Sequence, residues 1–151
     1  MHVVEQERAT PRIIASARGL VSGKPVSEVA FPLADRVWGF LREHPEITHK
    51  GINIWTYRPS PVGELVVEAS VELNEKFTST EDVECSETPT GPVATCLHTG
   101  PYKGLGLAHL AIDEYCHDQG IKQEGTQWEV YGHWNEDESK LETKVFHLLI
   151  N

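Results

Sequence analysis

The 151 residues contain no run approaching the roughly 18 consecutive apolar positions that a membrane-crossing helix needs; stretches such as Phe146 to Ile150 are far shorter. An integral membrane protein is therefore not expected. The N-terminus, Met1-His2-Val3-Val4-Glu5, lacks the basic segment and apolar core of a secretory signal, so a cytoplasmic location is the expectation. Cysteine is scarce. Cys85, Cys96 and Cys116 are odd in number and show no C-x-x-C spacing, which argues against a disulfide framework and a structural zinc site and for reduced, mostly buried thiols. Basic residues are few as well: 13 Lys and Arg stand against 23 Asp and Glu, and the formal net charge of −10 repels phosphate backbones. Nucleic acid is not an expected direct partner. The imbalance is concentrated in residues 76–151, with 5 basic and 13 acidic groups against 8 and 10 in residues 1–75. A site lined by that half favours a cationic or neutral ligand.

What the chain does have is the mix of one globular domain with a sizeable core, 39% hydrophobic and 24% charged. Residues 12–22 read as a strand ending before Gly23-Lys24-Pro25. A helix is expected over 31–45, with Pro32 in its first turn and Leu33, Val37, Phe40, Leu41 and His44 on one face. Two strands follow, 52–57 and 64–73, separated by the proline-rich turn 58–63. In the second, Leu65, Val67, Ala69, Val71 and Leu73 alternate with Glu64, Glu68, Ser70 and Glu72, which predicts one buried and one wetter face.

After an acidic, threonine-rich connector, 75–92, the same order begins again. A strand over 93–98, the turn Gly100-Pro101-Tyr102-Lys103-Gly104, a helix over 105–119 stopped by Gly120, and strands over 126–133 and 144–150 are expected. Strand, helix, strand, strand thus occurs twice, at an offset of about 74 residues that lays Ile54-Trp55-Thr56-Tyr57 on Trp128-Glu129-Val130-Tyr131. The predicted fold is α+β: a tandem βαββ repeat with pseudo-two-fold symmetry, modules over about 12–74 and 93–151, antiparallel sheets with one main helix each, and a ligand crevice at the module junction.

The densest chemical constellation is Gln127-Trp128-Glu129-Val130-Tyr131-Gly132-His133-Trp134. On a strand, Glu129, Tyr131 and His133 share one face while Trp128 and Val130 share the other. A carboxylate beside a phenol among aromatic rings suits a flat, cationic ligand, because rings supply apolar area and attract cations while the carboxylate fixes orientation. By parity Trp128 reads as core rather than pocket. On the second helix His109, Asp113 and His117 stand four apart, a spacing compatible with a metal, but it reads more simply as surface partners on a wet face. His98 and His147 read as packed or edge histidines, and no metal or other cofactor is expected.

The order and spacing of Gly100-Pro101-Tyr102-Lys103-Gly104-Leu105-Gly106, helix 105–119, Trp128-Glu129-Val130-Tyr131-Gly132 and Ser139-Lys140-Leu141-Glu142-Thr143 resemble the GyrI-like small-molecule-binding family, the effector-binding domain of multidrug-responsive transcription activators. The resemblance covers about Arg12 to Ile150 and is strongest after Val93. It implies paired βαββ modules with an aromatic pocket and an acidic residue inside it, for which Glu129 is the match. Only about eleven residues precede the first expected strand, too few for the helix-turn-helix of the transcription activators, so a stand-alone member is expected.

Three functions follow from the resemblance. The favoured one is binding of aromatic small molecules, cationic ones included, for drug or toxin sensing or sequestration, with Glu129, Tyr131, Trp55, Tyr57, Tyr102, Trp128 and Trp134 as candidate ligand contacts. The second is hydrolysis of cyclopropane-containing DNA-alkylating compounds, in which Glu129 would act as general base and Tyr131 would donate to the developing oxyanion. The third is interaction with a protein partner, as in gyrase-inhibiting relatives.

Overall fold

A computed structural model describes residues 2–151. The chain forms two compact units, one spanning Pro11–Thr88 and the other Pro89–Asn151 together with the N-terminal segment that ends at Thr10.

The first unit contains β2 (Ile13–Val21), α1 (Val26–Glu43), β3 (His49–Pro59), β4 (Leu65–Leu73) and β5 (Glu84–Glu87); the second contains β1 (Glu5–Ala9), β6 (Gly91–Thr99), α2 (Leu105–Gln119), β7 (Gln123–Tyr131) and β8 (Glu142–Leu149). Their sheets are antiparallel, ordered β5-β2-β4-β3 and β1-β6-β8-β7. Each is the predicted βαββ module with one added edge strand. Among the described residues no helix is long and apolar enough to cross a membrane.

Helix α1 starts at Val26, earlier than expected, and carries Pro32 inside it rather than in its first turn. The reason is packing: Ala30, Leu33, Val37 and Leu41 bury one stripe against Ala15, Ala17, Val67, Ala69 and Val71. Pro32 lies on the exposed side, where water can serve the carbonyl that its missing N–H leaves unbonded. Helix α2 keeps the predicted limits, buries Leu105, Ala108, Ile112 and Cys116, and ends at Gly120, whose φ of 66° is the left-handed cap that glycine adopts without strain.

The expectation of a wetter face on β4 is overturned. Because β4 is flanked by β2 and β3, Glu68, Ser70 and Glu72 are as buried as their apolar neighbours. Burial is tolerated because each carboxylate is clamped by two cations. Glu68 accepts from Arg18 Nε at 3.0 Å and Arg58 Nη2 at 3.2 Å, and Glu72 from Arg12 Nη1 at 3.0 Å and Lys50 Nζ at 3.5 Å.

The repeat is visible in the register. The irregularity between His49 and Asn53 on β3 recurs between Gln123 and Gln127 on β7, a shift of 74 residues, with His49 opposite Leu73 and Gln123 opposite Leu149. The buried helix positions Ala30, Leu33, Val37 and Leu41 recur at Leu105, Ala108, Ile112 and Cys116, a shift of 75. Hence Trp55, Ala34 and Val71 of the first unit occupy the places of Glu129, His109 and His147 in the second.

Candidate functional site

The site is built on three elements of the second unit. Strand β7 presents Gln123, Glu129 and Tyr131, β8 presents His147 on the same face as Val145 and Leu149, and α2 lays His109 and Asp113 over them. The alternation of β7 holds for Glu129 and Tyr131, which lie together, and for Trp128, which points the other way, but β7 ends at Tyr131, so His133, expected on the same strand face, lies exposed beyond it.

Glu129 is only 5% exposed. The Tyr131 hydroxyl donates to its Oε1 at 2.5 Å, and His109 Nε2 lies 2.8 Å from its Oε2. The contacts continue inward. His109 Nδ1 is 2.8 Å from His147 Nε2, with the two rings stacked at 5.0 Å, and His147 Nδ1 is 2.8 Å from Gln123 Oε1 and 3.4 Å from Asp113 Oδ1. The Gln123 amide donates to Asp113 Oδ1 at 2.9 Å, which fixes which way the amide faces. His147 has no exposed surface, and burial, aided by neighbouring His109, pushes its pKa down to about 4, so its ring is neutral at pH 7. The arrangement is a hydrogen-bonded chain from a buried carboxylate, through two imidazoles, to the half-exposed Asp113.

This corrects the reading of His109 as a surface partner, whereas His117 is exposed, as expected. His109 turns inward onto Glu129 and His147, and Asp113 approaches His147. Among the described residues no group of three or more His, Cys, Asp or Glu side chains is arranged to hold a metal ion. His147 is packed, as expected, but its role in the chain of contacts was missed. The available signal was parity: His147 falls on the same side of β8 as Val145 and Leu149, the side that faces α2.

The other candidates separate. Tyr102, 40% exposed, sits in a short 3-10 turn and meets the Tyr131 ring edge-on at 5.5 Å. The turn is shaped by Gly104, where a Cβ would come within 2.8 Å of the His98 ring. Trp128 is buried and stacked on its cross-strand neighbour Phe146 at 5.0 Å, so it is core and does not join the Glu129 cluster. Trp134 is 72% exposed in the loop after β7. Trp55 and Tyr57 belong to β3 of the first unit, packed against its core, with Phe31 edge-on to Trp55 at 5.3 Å. Burial pushes the Cys96 thiol up to about 11 and raises that of Cys116, so neither is a thiolate at neutral pH.

Comparison with known proteins places the chain in a class. The model of the GyrI-like small molecule binding domain matches residues 32–148. The chain belongs to that family, and its sheets, helices and repeat are those of a small-molecule-binding module. No curated protein matches it. Among solved structures it is similar to the EcmrR C-terminal domain, with 18% identity and a TM-score of 0.82 over 100% of this chain and 99% of that one. It is also similar to SAV2435 bound to tetraphenylphosphonium, with 10% identity and a TM-score of 0.73 over 99% and 94% of the two chains. A hydrolase from Listeria innocua shares the fold at 9% identity, with a TM-score of 0.59 over 97% and 91%.

Proposed function

We propose that the chain binds aromatic organic cations, with the Glu129 carboxylate as the anchor for positive charge and Tyr131 and Tyr102 as aromatic surface beside it. The observation that carries this reading is the way Glu129 is held. Glu68 and Glu72 are buried under permanently charged Arg and Lys side chains, whereas Glu129 is held by a phenol hydroxyl and an imidazole. Those donors keep the carboxylate oriented without adding a fixed positive charge, which suits capture of a cation. The net charge of −10 favours the same class of ligand at long range, and SAV2435, of the same fold, holds tetraphenylphosphonium. In a cell such binding would serve drug or toxin sensing or sequestration.

The test is titration of tetraphenylphosphonium into the wild-type protein and Glu129→Gln, followed by tryptophan fluorescence. The amide keeps the shape and removes the charge, so affinity is expected to fall at least about tenfold, or about 1.4 kcal/mol. Equal affinity in a folded variant would refute the role of Glu129.

A second reading is supported by the 2.8 Å contact between Glu129 and His109, the geometry of a general base and the residue that orients it. In a hydrolase acting on a cyclopropane-bearing DNA alkylator, Glu129 would take a proton from the attacking water and Tyr131 would donate to the oxygen that gains charge. Product analysis after incubation with such an alkylator decides it. Conversion by wild type and not by Glu129→Gln supports the enzyme, and recovery of intact alkylator excludes it.

A further inference from the structure

The contacts of His109 and His147 fix how many protons the site holds. Gln123 Oε1 and Asp113 Oδ1 are both acceptors, the latter taking the Gln123 amide hydrogen, so His147 Nδ1 carries a hydrogen toward them. His147 is neutral at pH 7, so its Nε2 is bare and accepts from His109 Nδ1. The remaining contact, His109 Nε2 to Glu129 Oε2, then holds one proton between two groups that would each lack it if His109 were neutral and Glu129 ionised. With every contact satisfied, the chain contains one proton beyond that reference state. The groups that face it include Tyr131 and Gln123 from β7, His147 from β8 and Asp113 from α2, with Tyr102 against Tyr131.

We infer that the Glu129 site exchanges a proton for its cation: a ligand cation drawn to the Glu129 carboxylate expels the proton shared with His109, and His147 conducts it to Asp113 at the protein surface. This rests on the reading of Glu129 as a cation anchor. In the relay, His109 keeps the Nε2 hydrogen that it donates to the carboxylate and gives its Nδ1 hydrogen to His147 Nε2. His147 gives its Nδ1 hydrogen to Asp113 Oδ1, which loses it to water. The bared Nδ1 is then met by the Gln123 amide turned to offer its N–H. One positive charge enters and one leaves, so the buried cluster is never asked to hold both. The first unit has no counterpart, since Trp55, Ala34 and Val71 stand in the three places.

The consequence is linkage between ligand affinity and pH. Because the bound state has released a proton, affinity measured between about pH 5 and 8 rises with pH, by up to tenfold per pH unit. Calorimetric titration of tetraphenylphosphonium in buffers of different ionisation heat at one pH counts the protons released. Wild type is expected to approach one proton per ligand. His109→Gln keeps an N–H toward Glu129 but has no proton to give, and is expected to release none and to lose the pH dependence. Ligand binding with no proton release and flat affinity over this range would overturn the exchange.

A separate readout needs no ligand. Nitrogen-15 spectra of the histidine rings in the free protein are expected to show His147 carrying hydrogen on Nδ1 alone at pH 7. Hydrogen on Nε2 instead would overturn the relay, whatever tetraphenylphosphonium does. Failure of tetraphenylphosphonium to bind, with His147 in the expected tautomer, would fall on the cation-anchor reading and would remove the exchange with it, while leaving the one-proton chain in place.

Discussion

The two units share a backbone plan and divide their polar groups in opposite ways. In the first unit the layer between helix and sheet holds Val67, Ala69, Val71 and Trp55 of the sheet and Ala34 of the helix, while the opposite face of the sheet buries Glu68 and Glu72 in paired ion bridges. In the second unit that layer holds Glu129 and His147 of the sheet and His109 of the helix, while the opposite face of the sheet stacks Trp128 on Phe146. Even the margin of the layer corresponds: Trp38 meets His49 edge-on at 4.9 Å in the first unit, and Asp113 bonds Gln123 in the second. The lesson is that the repeated fold supplies positions and the residues at them assign roles. Buried charge fully neutralised by Arg and Lys is structural, whereas a buried carboxylate tied to titratable partners can respond to a ligand or a proton.

The contrast can be broken most severely on the apolar face of the second unit. Trp128→Ala removes a fully buried ring from its stack on Phe146 and is expected to cost about 3–5 kcal/mol, measured by denaturant unfolding. Next is the ion-bridge face of the first unit. Replacing both Arg18 and Arg58 by methionine leaves Glu68 buried without its clamp, and a loss of about 3 kcal/mol is expected in the same assay, with either single change costing much less. No loss in the double variant would mean that Glu68 finds water.

The pKa of His147 is about 4 when folded and 6.5 as the reference value, so the unfolded chain takes up the proton first as pH falls. The stability it contributes is complete above about pH 6.5 and declines to its lower limit near pH 4, by at most about 3 kcal/mol. His147→Val, which installs the residue found at the matching place in the first unit, is expected to flatten that part of the stability curve. The smallest effect is at the helix stop: Gly120→Ala forces a side chain onto a φ of 66° and is expected to cost about 1 kcal/mol in thermal unfolding.

Much of the fold was legible because it follows from periodicity. The stripe of α2, the alternation of β7 and the 74-residue echo of Trp55 at Glu129 are all written in residue order. What was not legible depended on tertiary context. Strands β1, Glu-Gln-Glu-Arg-Ala, and β5, Glu-Cys-Ser-Glu, carry no apolar alternation because they are edge strands, so β1 fell among the residues before the first expected strand and β5 within the expected connector. Helix α1 runs through Pro32 because burial of Val26, Val29 and Ala30 outweighs one lost hydrogen bond.

The site was half legible. Glu129 and Tyr131 are two residues apart and parity pairs them, but His109 and His147 lie 38 residues apart, and only the packing of α2 over β8 brings them within 2.8 Å. Glu68 and Glu72 misled for the converse reason, since alternation alone cannot show that arginines reach over a strand flanked on both sides.

The most direct test of the central claim, that the titratable cluster of the second unit and not the ion-bridged layer of the first receives the ligand, is a side-chain magnetic resonance titration with tetraphenylphosphonium. The ring signals of His109 and His147 are expected to move to saturation while the guanidinium signals of Arg18 and Arg58 stay in place. Guanidinium signals that move while both histidine rings remain unchanged at saturating ligand would contradict it.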